Sequence, residues 1–481
     1  LLSPNGSAER VLVLGARMAA DRFAGGTRTR GHCSYQLVVL RPSPEECRSG
    51  LELLVGEVLA GLAAEGVAYV LVPPSWRKRA GQLLMGHGLL LGTPIAHHPD
   101  LSTTRYLLPL KTSAMRYAAD HLLPGHAWPR RTLKALAHMP SSPALLTRAL
   151  PDVGIVATRP GSRPAFAWLN PSGSAAFEAE VVLKRSWRRR DGQMVLHVLN
   201  SDGRATSVAK VASSNCTPKG HKTEAETLKG LAPSAIRAGA RVPEVRRAGF
   251  LHTHRLLVES VVPGTPAGGY LAGSPRRFRT LIERLSCWLQ RWASMTVVRR
   301  KLTGRCLREE VLEPASLVEP WLPNGAVYLA KLDALCSRAE GSILPFVAVH
   351  GDLTMWNVLV DAESASRGEE IGIVDWEMAR DEGLPLGDFL YGTADAAAAV
   401  GGYADRGAAF DDCFTSGGRY SRWVAGLTNQ LTCSLGLSDA LTMLMTHACW
   451  LGHAAREVAS TPEGSRGPFV DIVGRLGARR I

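Results

Sequence analysis

Several features that would define a protein class at once are absent from the sequence. The nine cysteines are scattered singly, with no C-x-x-C pair and no spacing to histidine that suits zinc. An odd, dispersed set of thiols favours reduced cysteines in a cytoplasm over a disulfide framework. Long apolar runs are absent too, because the longest, residues 51–74, is interrupted by Glu52, Glu57 and Glu65. The sequence therefore argues against a disulfide-rich secreted protein and against a membrane protein.

The start of the sequence lacks the marks of a targeting signal. LLSPNGSAERVLVLG contains neither a basic leader nor a cleavage site. It also lacks an initiator Met, so we expect a processed or truncated product.

A basic stretch interleaved with aromatic residues is also missing, although the formal net charge is +13 and the pI is near 9.5. Arginine is spread along the whole chain, and the one short basic run is KRSWRRR at 184–190. Nucleic-acid surfaces concentrate their cations in one patch. The charge therefore favours a site for an anionic small molecule over nucleic acid as a partner.

Length and composition indicate a globular protein of more than one domain. With 481 residues, the chain is too long for one ordinary hydrophobic core, so two or three domains are expected. In residues 1–150, short β-branched runs such as VLVLG and VAYVLV alternate with runs of helical spacing, the first over residues 44–65. Single helices between strands predict a parallel, doubly wound sheet, and hence a Rossmann-like α/β domain.

The pattern of this first domain resembles the second half of a class I methyltransferase-like fold. The glycine-rich turn that would hold S-adenosylmethionine is missing, since LGARMAADRFAGG has Gly15 and then no glycine until Gly25. A degenerate domain used for assembly is the favoured interpretation. A bifunctional enzyme whose first domain still transfers methyl groups is the alternative.

Residues 151–262 predict the small lobe of a kinase-like fold, and residues 263–481 a mostly helical large lobe. Three strands in a meander are expected within 179–211, separated by the turn signals RDG and SDG. They are followed by a helix, a strand and a glycine-rich hinge loop, at 221–232, 255–260 and 263–269. This succession is the plan of a two-lobed kinase.

The strongest signal for chemistry is VHGDLTMWNVLV at 349–360, followed by the run IGIVDWE. His350, Asp352 and Asn357 give H-G-D-x-x-x-x-N, and Asp375 ends the second apolar run. Phosphoryl transfer needs an acceptor oxygen held in line and the phosphate charge neutralised. The carboxylate of Asp352 can take the acceptor's proton, and the hard oxygens of Asn357 and Asp375 suit Mg²⁺. The two apolar runs predict a hairpin that brings these two ligands together.

With PLGDFLYG further on, these motifs resemble the aminoglycoside phosphotransferase and choline kinase superfamily over about residues 170–480. The resemblance implies that Asp352 is the catalytic base and that Asn357 and Asp375 bind magnesium. The expected fold is therefore a Rossmann-like domain followed by a two-lobed protein-kinase-like fold.

The same resemblance assigns supporting roles around the loop. It implies that His350 buttresses the loop and that Asp388 is the buried acid that anchors it through backbone amides. Glu377 is expected to support the metal site or the substrate mouth without replacing Asp375. Trp356 is expected to pack under the loop and to make no substrate contact.

In the small lobe the resemblance indicates the nucleotide site. Lys210 resembles the lysine that contacts the α and β phosphates. Glu224 matches its partner on the helix, with Glu226 as the alternative. Glu259 to Val261 would form the adenine-binding hinge through backbone groups.

The G-x-G-x-x-G loop of protein kinases is absent, and KRSWRRRDG stands where the turn over the phosphates is expected. Either the triphosphate or water is expected to face the three arginines of this turn, Arg188, Arg189 and Arg190. The choice between ATP and GTP stays open.

The predicted function is a cytoplasmic, kinase-like phosphotransferase that depends on ATP (or GTP) and Mg²⁺. Its acceptor would be a hydroxyl group of a small polar molecule such as a sugar, an aminoglycoside or an amino alcohol. A catalytically silent kinase-like module that binds a nucleotide or a partner is the rival interpretation. The acceptor itself and the oligomeric state are left open.

Overall fold

The structure is a computed structural model with two compact units. It describes residues 11–15, 35–98, 106–117, 139, 152–162, 180–185, 194–200, 202–213, 223–251, 254–361, 371–460 and 467–478. We call Leu1–Lys219 with Val245–Val261 the first unit, and Gly220–Glu244 with Val262–Ile481 the second unit.

The described strands are numbered along the chain. They are β1 (Val11–Gly15), β2 (Tyr35–Arg41), β3 (Leu62–Val72), β4 (Leu90–Leu91), β5 (Ile95–His98), β6 (Tyr106–Pro109), β7 (Val153–Thr158), β8 (Glu180–Arg185), β9 (Met194–Leu199), β10 (Ala205–Ser213), β11 (Ala240–Arg241), β12 (Val245–Leu251), β13 (His254–Ser260), β14 (Thr265–Pro266), β15 (Val298–Lys301), β16 (Ile343–Val349), β17 (Val358–Val360), β18 (Ile371–Ile373) and β19 (Arg380–Gly383).

The described helices are numbered in the same way. They are α1 (Pro44–Ser49), α2 (Leu51–Gly61), α3 (Arg77–Gly86), α4 (Thr112–Tyr117), α5 (Glu224–Arg237), α6 (Ala267–Leu271), α7 (Pro275–Thr296), α8 (Gly304–Leu307), α9 (Glu313–Val318), α10 (Gly325–Ala339), α11 (Gly387–Val400), α12 (Arg406–Phe414), α13 (Ser421–Leu435), α14 (Asp439–Ser460) and α15 (Pro468–Gly477). A π-helical turn joins α8 to α9, and 3-10 turns lie at Pro74–Trp76, Glu319–Trp321 and Trp376–Met378.

Twelve of the described strands form one sheet within the first unit. Their order is β1-β2-β3-β7-β5-β6-β8-β9-β10-β13-β12, with β4 paired to β7. The strands that the sequence assigned to an N-terminal domain and those assigned to a small lobe therefore lie in the same sheet, joined where β6 pairs with β8.

The predicted parallel sheet is confirmed for β1, β2 and β3 and is wrong for the strands beside them. β1 pairs with β2, and β2 with β3, in parallel. β7 is antiparallel to β3, and β5 is antiparallel to both β6 and β7. β5 ends at His98 and β6 begins at Tyr106, which leaves fewer residues than the dozen or so that a parallel crossover needs. A methyltransferase-like domain is not confirmed, and the turn expected to bind S-adenosylmethionine falls largely in residues 16–34, outside the described residues.

The single helix predicted over residues 44–65 is two helices. Ser43 caps α1, because its hydroxyl accepts the Glu46 N–H at 3.1 Å while the Glu46 carboxylate accepts the Ser43 N–H at 2.6 Å. Gly50 separates α1 from α2, and residues 62–65 already belong to β3.

Apolar side chains cover both faces of β2 and β3, as the alternation of a strand requires. Leu40 and Val70 belong to the cluster that includes α2 and α3. Val39 and Leu71, the chain neighbours of those two residues, belong to the cluster on the opposite face. This double burial explains why the runs in the sequence are apolar throughout.

The predicted three-strand meander is confirmed as β8, β9 and β10, each antiparallel to the next. Gly203, with φ of +76°, supplies the left-handed turn between β9 and β10. The turn at 190–192 lies outside the described residues. β13 pairs with the other side of β10, and β12 closes the sheet as an edge strand. Sequence reasoning missed β12 because VRRAGFL is mostly exposed and has no apolar alternation.

In the second unit, β17 and β18 form the predicted hairpin, with Val358 opposite Ile373. They lie in a sheet of order β11-β18-β17-β14, and β15-β16-β19 form another. The glycine-rich hinge loop predicted over 263–269 instead contains β14, paired with β17, and the start of α6.

Helices make up most of the rest of the second unit, as predicted. The long helix α7 buries a stripe of apolar residues at helical spacing against its neighbours. Two residues of this helix, Trp288 and Trp292, stack on each other with ring centroids 5.0 Å apart. Their indole N–H groups donate to Ala235 and Ser234, which joins α7 to α5. A search of the described helices found none that is long and apolar enough to cross a membrane.

Candidate active site

One carboxylate anchors the loop that follows β16. Asp388, in the first turn of α11, accepts the backbone N–H of His350 at 2.6 Å and that of Gly351 at 2.8 Å. Gly351 has φ of +77°, and a Cβ atom there would lie 2.6 Å from the carbonyl oxygen of Met378. The close approach of the loop to Met378 therefore requires glycine.

His350 ties the same loop to the end of β18. Its side chain is fully buried, and Nε2 lies 3.1 Å from the carbonyl oxygen of Val374. A carbonyl can only accept, so Nε2 carries the proton. The ring also meets Trp376 edge-on, with centroids 5.2 Å apart. His350 thus links the loop to the residues on both sides of Asp375.

Asp352 and Asn357 lie in hydrogen-bond contact at the two ends of the loop. The Asn357 Nδ2 donates to the backbone oxygen of Asp352 at 2.9 Å and to its carboxylate at 3.3 Å. The backbone oxygen of Asn357 accepts the Val374 N–H at 2.9 Å. Since the amide nitrogen is used by Asp352, the amide oxygen is the atom of Asn357 that can bind a cation.

Asp375 follows the hairpin in a left-handed backbone conformation, with φ of +68°. Aspartate adopts this region more readily than most residues because its side chain is short. The next N–H, of Trp376, donates to the Glu224 carboxylate at 3.0 Å. The backbone at Asp375 is therefore held from one side by His350 and from the other by Glu224.

Burial raises the pKa of Asp352 above the ordinary range of an aspartate. His350 and Arg456 lower it, whereas the neighbouring carboxylates of Asp375 and Glu377 raise it further. The net direction is upward, which makes the Asp352 carboxylate a stronger base than a solvated aspartate.

In the first unit, Lys210 forms a buried ion pair with Glu259. Nζ and Oε1 are 3.5 Å apart, and the two side chains are 8% and 4% exposed. Val208 lies opposite Glu259 in the antiparallel pair of β10 and β13. Lys210 is therefore the diagonal neighbour of Glu259 on the same face of the sheet. Sequence reasoning expected only a backbone role for Glu259. Val261 follows β13 and is the last residue of the first unit.

The two alternative glutamates of α5 have different contacts within the second unit. Glu226 forms a capping box, because its carboxylate accepts the Thr223 N–H at 2.8 Å while the Thr223 hydroxyl accepts its N–H at 3.3 Å. Glu224 instead accepts the N–H of Trp376. The pairing of Glu224 with Lys210 stays a prediction, since the two residues belong to different units.

Asp395 holds the middle of the loop, a role that sequence reasoning did not assign. The carboxylate, only 1% exposed, accepts the Met355 N–H at 2.7 Å. It also accepts from the Tyr403 hydroxyl at 3.1 Å and pairs with Arg406 at 2.7 Å. Asp395 lies seven residues after Asp388, two turns along α11, so both carboxylates lie on one helix face. That spacing was a signal visible in the sequence.

The expectation that Trp356 packs under the loop is wrong. Its side chain is 37% exposed and stacks on Tyr403, with centroids 6.3 Å apart and ring planes at 22°. The neighbouring Met355 is fully buried, and it occupies the packing position that the sequence assigned to Trp356. Arg188, Arg189 and Arg190 lie outside the described residues.

Residues 195–412 match the family model described as "Phosphotransferase enzyme family". This segment contains Lys210, Asp352, Asn357 and Asp375. The match spans less than half of the 481 residues. It confirms the prediction of a kinase-like phosphotransferase for this part of the chain. A search of curated proteins returned no match.

Three solved structures are similar to parts of the chain at low identity. An aminoglycoside phosphotransferase, APH(3'')-Id from Streptomyces rimosus, is 15% identical, with 56% of this chain and 92% of that chain covered and a TM-score of 0.34. A thermostable mutant of aminoglycoside phosphotransferase APH(4)-Ia is 15% identical, with 62% and 95% covered and a TM-score of 0.38. A macrolide 2'-phosphotransferase of type I is 14% identical, with 63% and 94% covered and a TM-score of 0.35. Because these TM-scores are low, the evidence for a phosphotransferase is the family model and the side-chain geometry.

Proposed function

We propose that the protein is an ATP- and magnesium-dependent phosphotransferase that phosphorylates a hydroxyl group of a small polar molecule. The observation that carries the proposal is the loop 350–357. Asp388 anchors its start, Asp395 holds its middle, and Asp352 and Asn357 contact each other across it. A rigid loop with a basic carboxylate is what positioning an acceptor hydroxyl requires.

Asp352 is the proposed base. The acceptor oxygen attacks the γ-phosphorus, the bond to the leaving β-phosphate oxygen breaks, and the hydroxyl proton passes to the Asp352 carboxylate. The products are a phosphate ester and ADP. The raised pKa of Asp352 supports this role, because a stronger base accepts the proton more readily as the new bond forms.

Asn357 and Asp375 are the proposed magnesium ligands. Mg²⁺ takes hard oxygen ligands and uses one or two carboxylates from a protein, with water and phosphate oxygens completing its shell. Over the described residues, no three His, Cys, Asp or Glu side chains converge on a possible metal position. The free amide oxygen of Asn357 and one carboxylate from Asp375 suit magnesium held largely by the nucleotide. Bound magnesium would neutralise phosphate charge.

Lys210 is the proposed phosphate-binding cation. The backbone of Glu259 to Val261 is the proposed contact with the adenine ring of the nucleotide. The ion pair with Glu259 supports this role because it holds the long lysine side chain in one buried position. The predicted division at residue 262 and the cytoplasmic location remain parts of the proposal.

The test is the acceptor-dependent release of ADP with Asp352→Asn. The substitution keeps the size of the side chain and removes its basicity, so the rate should fall by about 10²- to 10⁴-fold. Nucleotide binding, measured by calorimetry, should be largely retained. Asp333→Asn is the matched control, because Asp333 is exposed on α10, away from the loop. Full turnover by Asp352→Asn would refute the proposed function, and the absence of ADP release by the unaltered protein would favour a silent kinase-like module.

A further inference from the structure

Trp356 is a large aromatic residue that stays exposed in the middle of the candidate catalytic loop. Its neighbours in the chain are buried: Met355 is 0% and Asn357 9% exposed, whereas Trp356 is 37% exposed. Burying an indole contributes free energy, so packing alone would favour a buried position. The loop presents this ring to its surroundings instead.

The exposed ring is held in a fixed orientation. Tyr403 stacks on one face of Trp356, with ring planes at 22°. The Tyr403 hydroxyl donates to Asp395, and the Arg406 guanidinium lies 5.1 Å from the centre of the tyrosine ring. Arg406 is itself paired with Asp395 at 2.7 Å. The stack is therefore supported by a buried carboxylate and not by loose contacts.

Tyr403, which stacks on Trp356, has a strained backbone conformation. Its φ of +60° is in the left-handed region, which a bulky aromatic residue adopts at a cost. Its N–H donates to Ala398 at 2.7 Å, which holds that conformation. The Tyr403 hydroxyl also lies close to the backbone of Gly268, since a Cβ atom on Gly268 would be 3.3 Å from it. The hydrogen bond to Ala398 belongs to the C-terminal cap of α11, in which the Gly402 N–H also donates to Ala399 at 3.0 Å, so the end of the helix fixes the position of Tyr403.

Trp356 belongs to the same short turn of the chain as the proposed base Asp352. The loop folds back on itself after Asp352, because the Thr354 N–H donates to Asp352 at 2.8 Å and the Asn357 N–H donates to Thr354 at 3.0 Å. Trp356 is part of this turn. A molecule whose hydroxyl reaches Asp352 would approach a turn that also carries the indole.

We propose that Trp356, supported by Tyr403, is a platform on which the ring of the phosphate acceptor stacks. This inference rests on the proposed function and specifies the acceptor class: an alcohol that carries its hydroxyl on, or next to, a ring with a flat apolar face. A saturated sugar or cyclitol ring offers such a face through its C–H groups, and an aromatic ring through its π system. Open-chain polyols offer no such face.

The first experiment compares ring and chain acceptors by release of ADP from ATP. The probes are myo-inositol and methyl α-D-glucopyranoside as saturated rings, benzyl alcohol as an aromatic ring, and D-glucitol as the open chain. At least one ring alcohol should be used about tenfold more efficiently than D-glucitol, expressed as kcat/KM. The ring that is preferred distinguishes the two sources of the stacking face. If no ring alcohol exceeds D-glucitol, the inference is overturned.

The second experiment tests Trp356 itself with the preferred ring acceptor. Trp356→Ala should raise the KM for that acceptor about tenfold and reduce the preference over D-glucitol. Trp356→Phe, which keeps a flat ring, should recover most of the affinity. Trp321→Ala is the matched control, because Trp321 is a partly exposed tryptophan on a 3-10 turn away from the loop. An acceptor KM for Trp356→Ala equal to that of the control would overturn the inference.

The two proposals fail differently. Turnover that persists in Asp352→Asn refutes the proposed function and the platform with it. Turnover that depends on Asp352 but shows no ring preference refutes the platform alone.

Discussion

Asp388 holds the backbone of His350 through a hydrogen bond of 2.6 Å, although the two residues lie 38 positions apart in the chain. The other oxygen of the same carboxylate holds the next N–H, of Gly351. One side chain at the start of α11 thus determines where the loop begins. The His350 side chain in turn connects the loop to the end of β18 by a hydrogen bond to the carbonyl oxygen of Val374.

Replacing Asp388 with Asn should destabilise the protein and impair phosphoryl transfer. The amide offers one acceptor oxygen for two buried N–H donors, and its own NH₂ group would meet one of them. Leaving a buried donor unsatisfied costs about 1–3 kcal/mol, measurable as a lower midpoint of urea unfolding. Asp439→Asn is the matched control, because Asp439 is exposed in the first turn of α14. A midpoint for Asp388→Asn equal to that of the control would contradict the anchoring role.

Breaking the Lys210–Glu259 pair from either side should destabilise the first unit. Removing one partner leaves the other charge buried, which typically costs about 3–5 kcal/mol. Lys210→Met and Glu259→Leu should therefore each lower the urea midpoint strongly. The double variant Lys210→Met, Glu259→Leu removes both charges and should recover much of that loss. A double variant as unstable as the sum of the two single variants would rule out coupling between these residues.

Substitutions of Glu224 and Glu226 should affect phosphoryl transfer and stability to different degrees. Glu226→Ala removes the carboxylate side of a capping box and should cost about 0.5–1.5 kcal/mol in unfolding free energy, the net contribution of a typical hydrogen bond. Glu224→Ala removes the acceptor for the Trp376 N–H beside Asp375, so it should lower phosphoryl transfer more than Glu226→Ala does. ADP release and urea unfolding of both variants provide the comparison. Equal losses of activity would show that the two residues act only through the helix.

The His97 side chain should make the protein less stable as pH falls. Burial lowers the pKa of His97 to about 4, with Asp152 raising it and Arg41 lowering it. In the unfolded chain a histidine titrates near 6.5, so between these values the unfolded state binds more protons. Stability from His97 is therefore complete above about pH 6.5 and declines towards pH 4, by on the order of 3 kcal/mol.

Urea unfolding at pH 7 and at pH 5 tests this pH dependence. In His97→Gln the difference between the two pH values should shrink, because the titrating group is gone. His87→Gln is the control, since His87 is exposed at the end of α3. An unchanged difference in His97→Gln would show that other groups cause the acid sensitivity.

Much of the second unit could be predicted from the sequence because its signals are local. Short apolar runs predicted β17 and β18, and helical spacing predicted the helices after residue 276. The order of residue types in H-G-D-x-x-x-x-N predicted the chemistry of the loop. The confirmed phosphotransferase match includes this loop.

Other features were missed because they depend on contacts between distant segments. The antiparallel pairing of β3 with β7 joins strands from opposite ends of a long stretch of chain. The stacking of Trp356 on Tyr403 joins the loop to a residue that follows α11. No periodicity within a short window carries such information.

The sequence by itself determined which residue types were available for phosphoryl transfer and which segments form strands and helices, since both follow from local chemistry and spacing. Tertiary structure alone decided the partners: Glu259 for Lys210, Trp376 for Glu224 and Asp395 for the middle of the loop. These contacts form only when packing brings distant segments together, as with the 152 residues that separate Glu224 from Trp376.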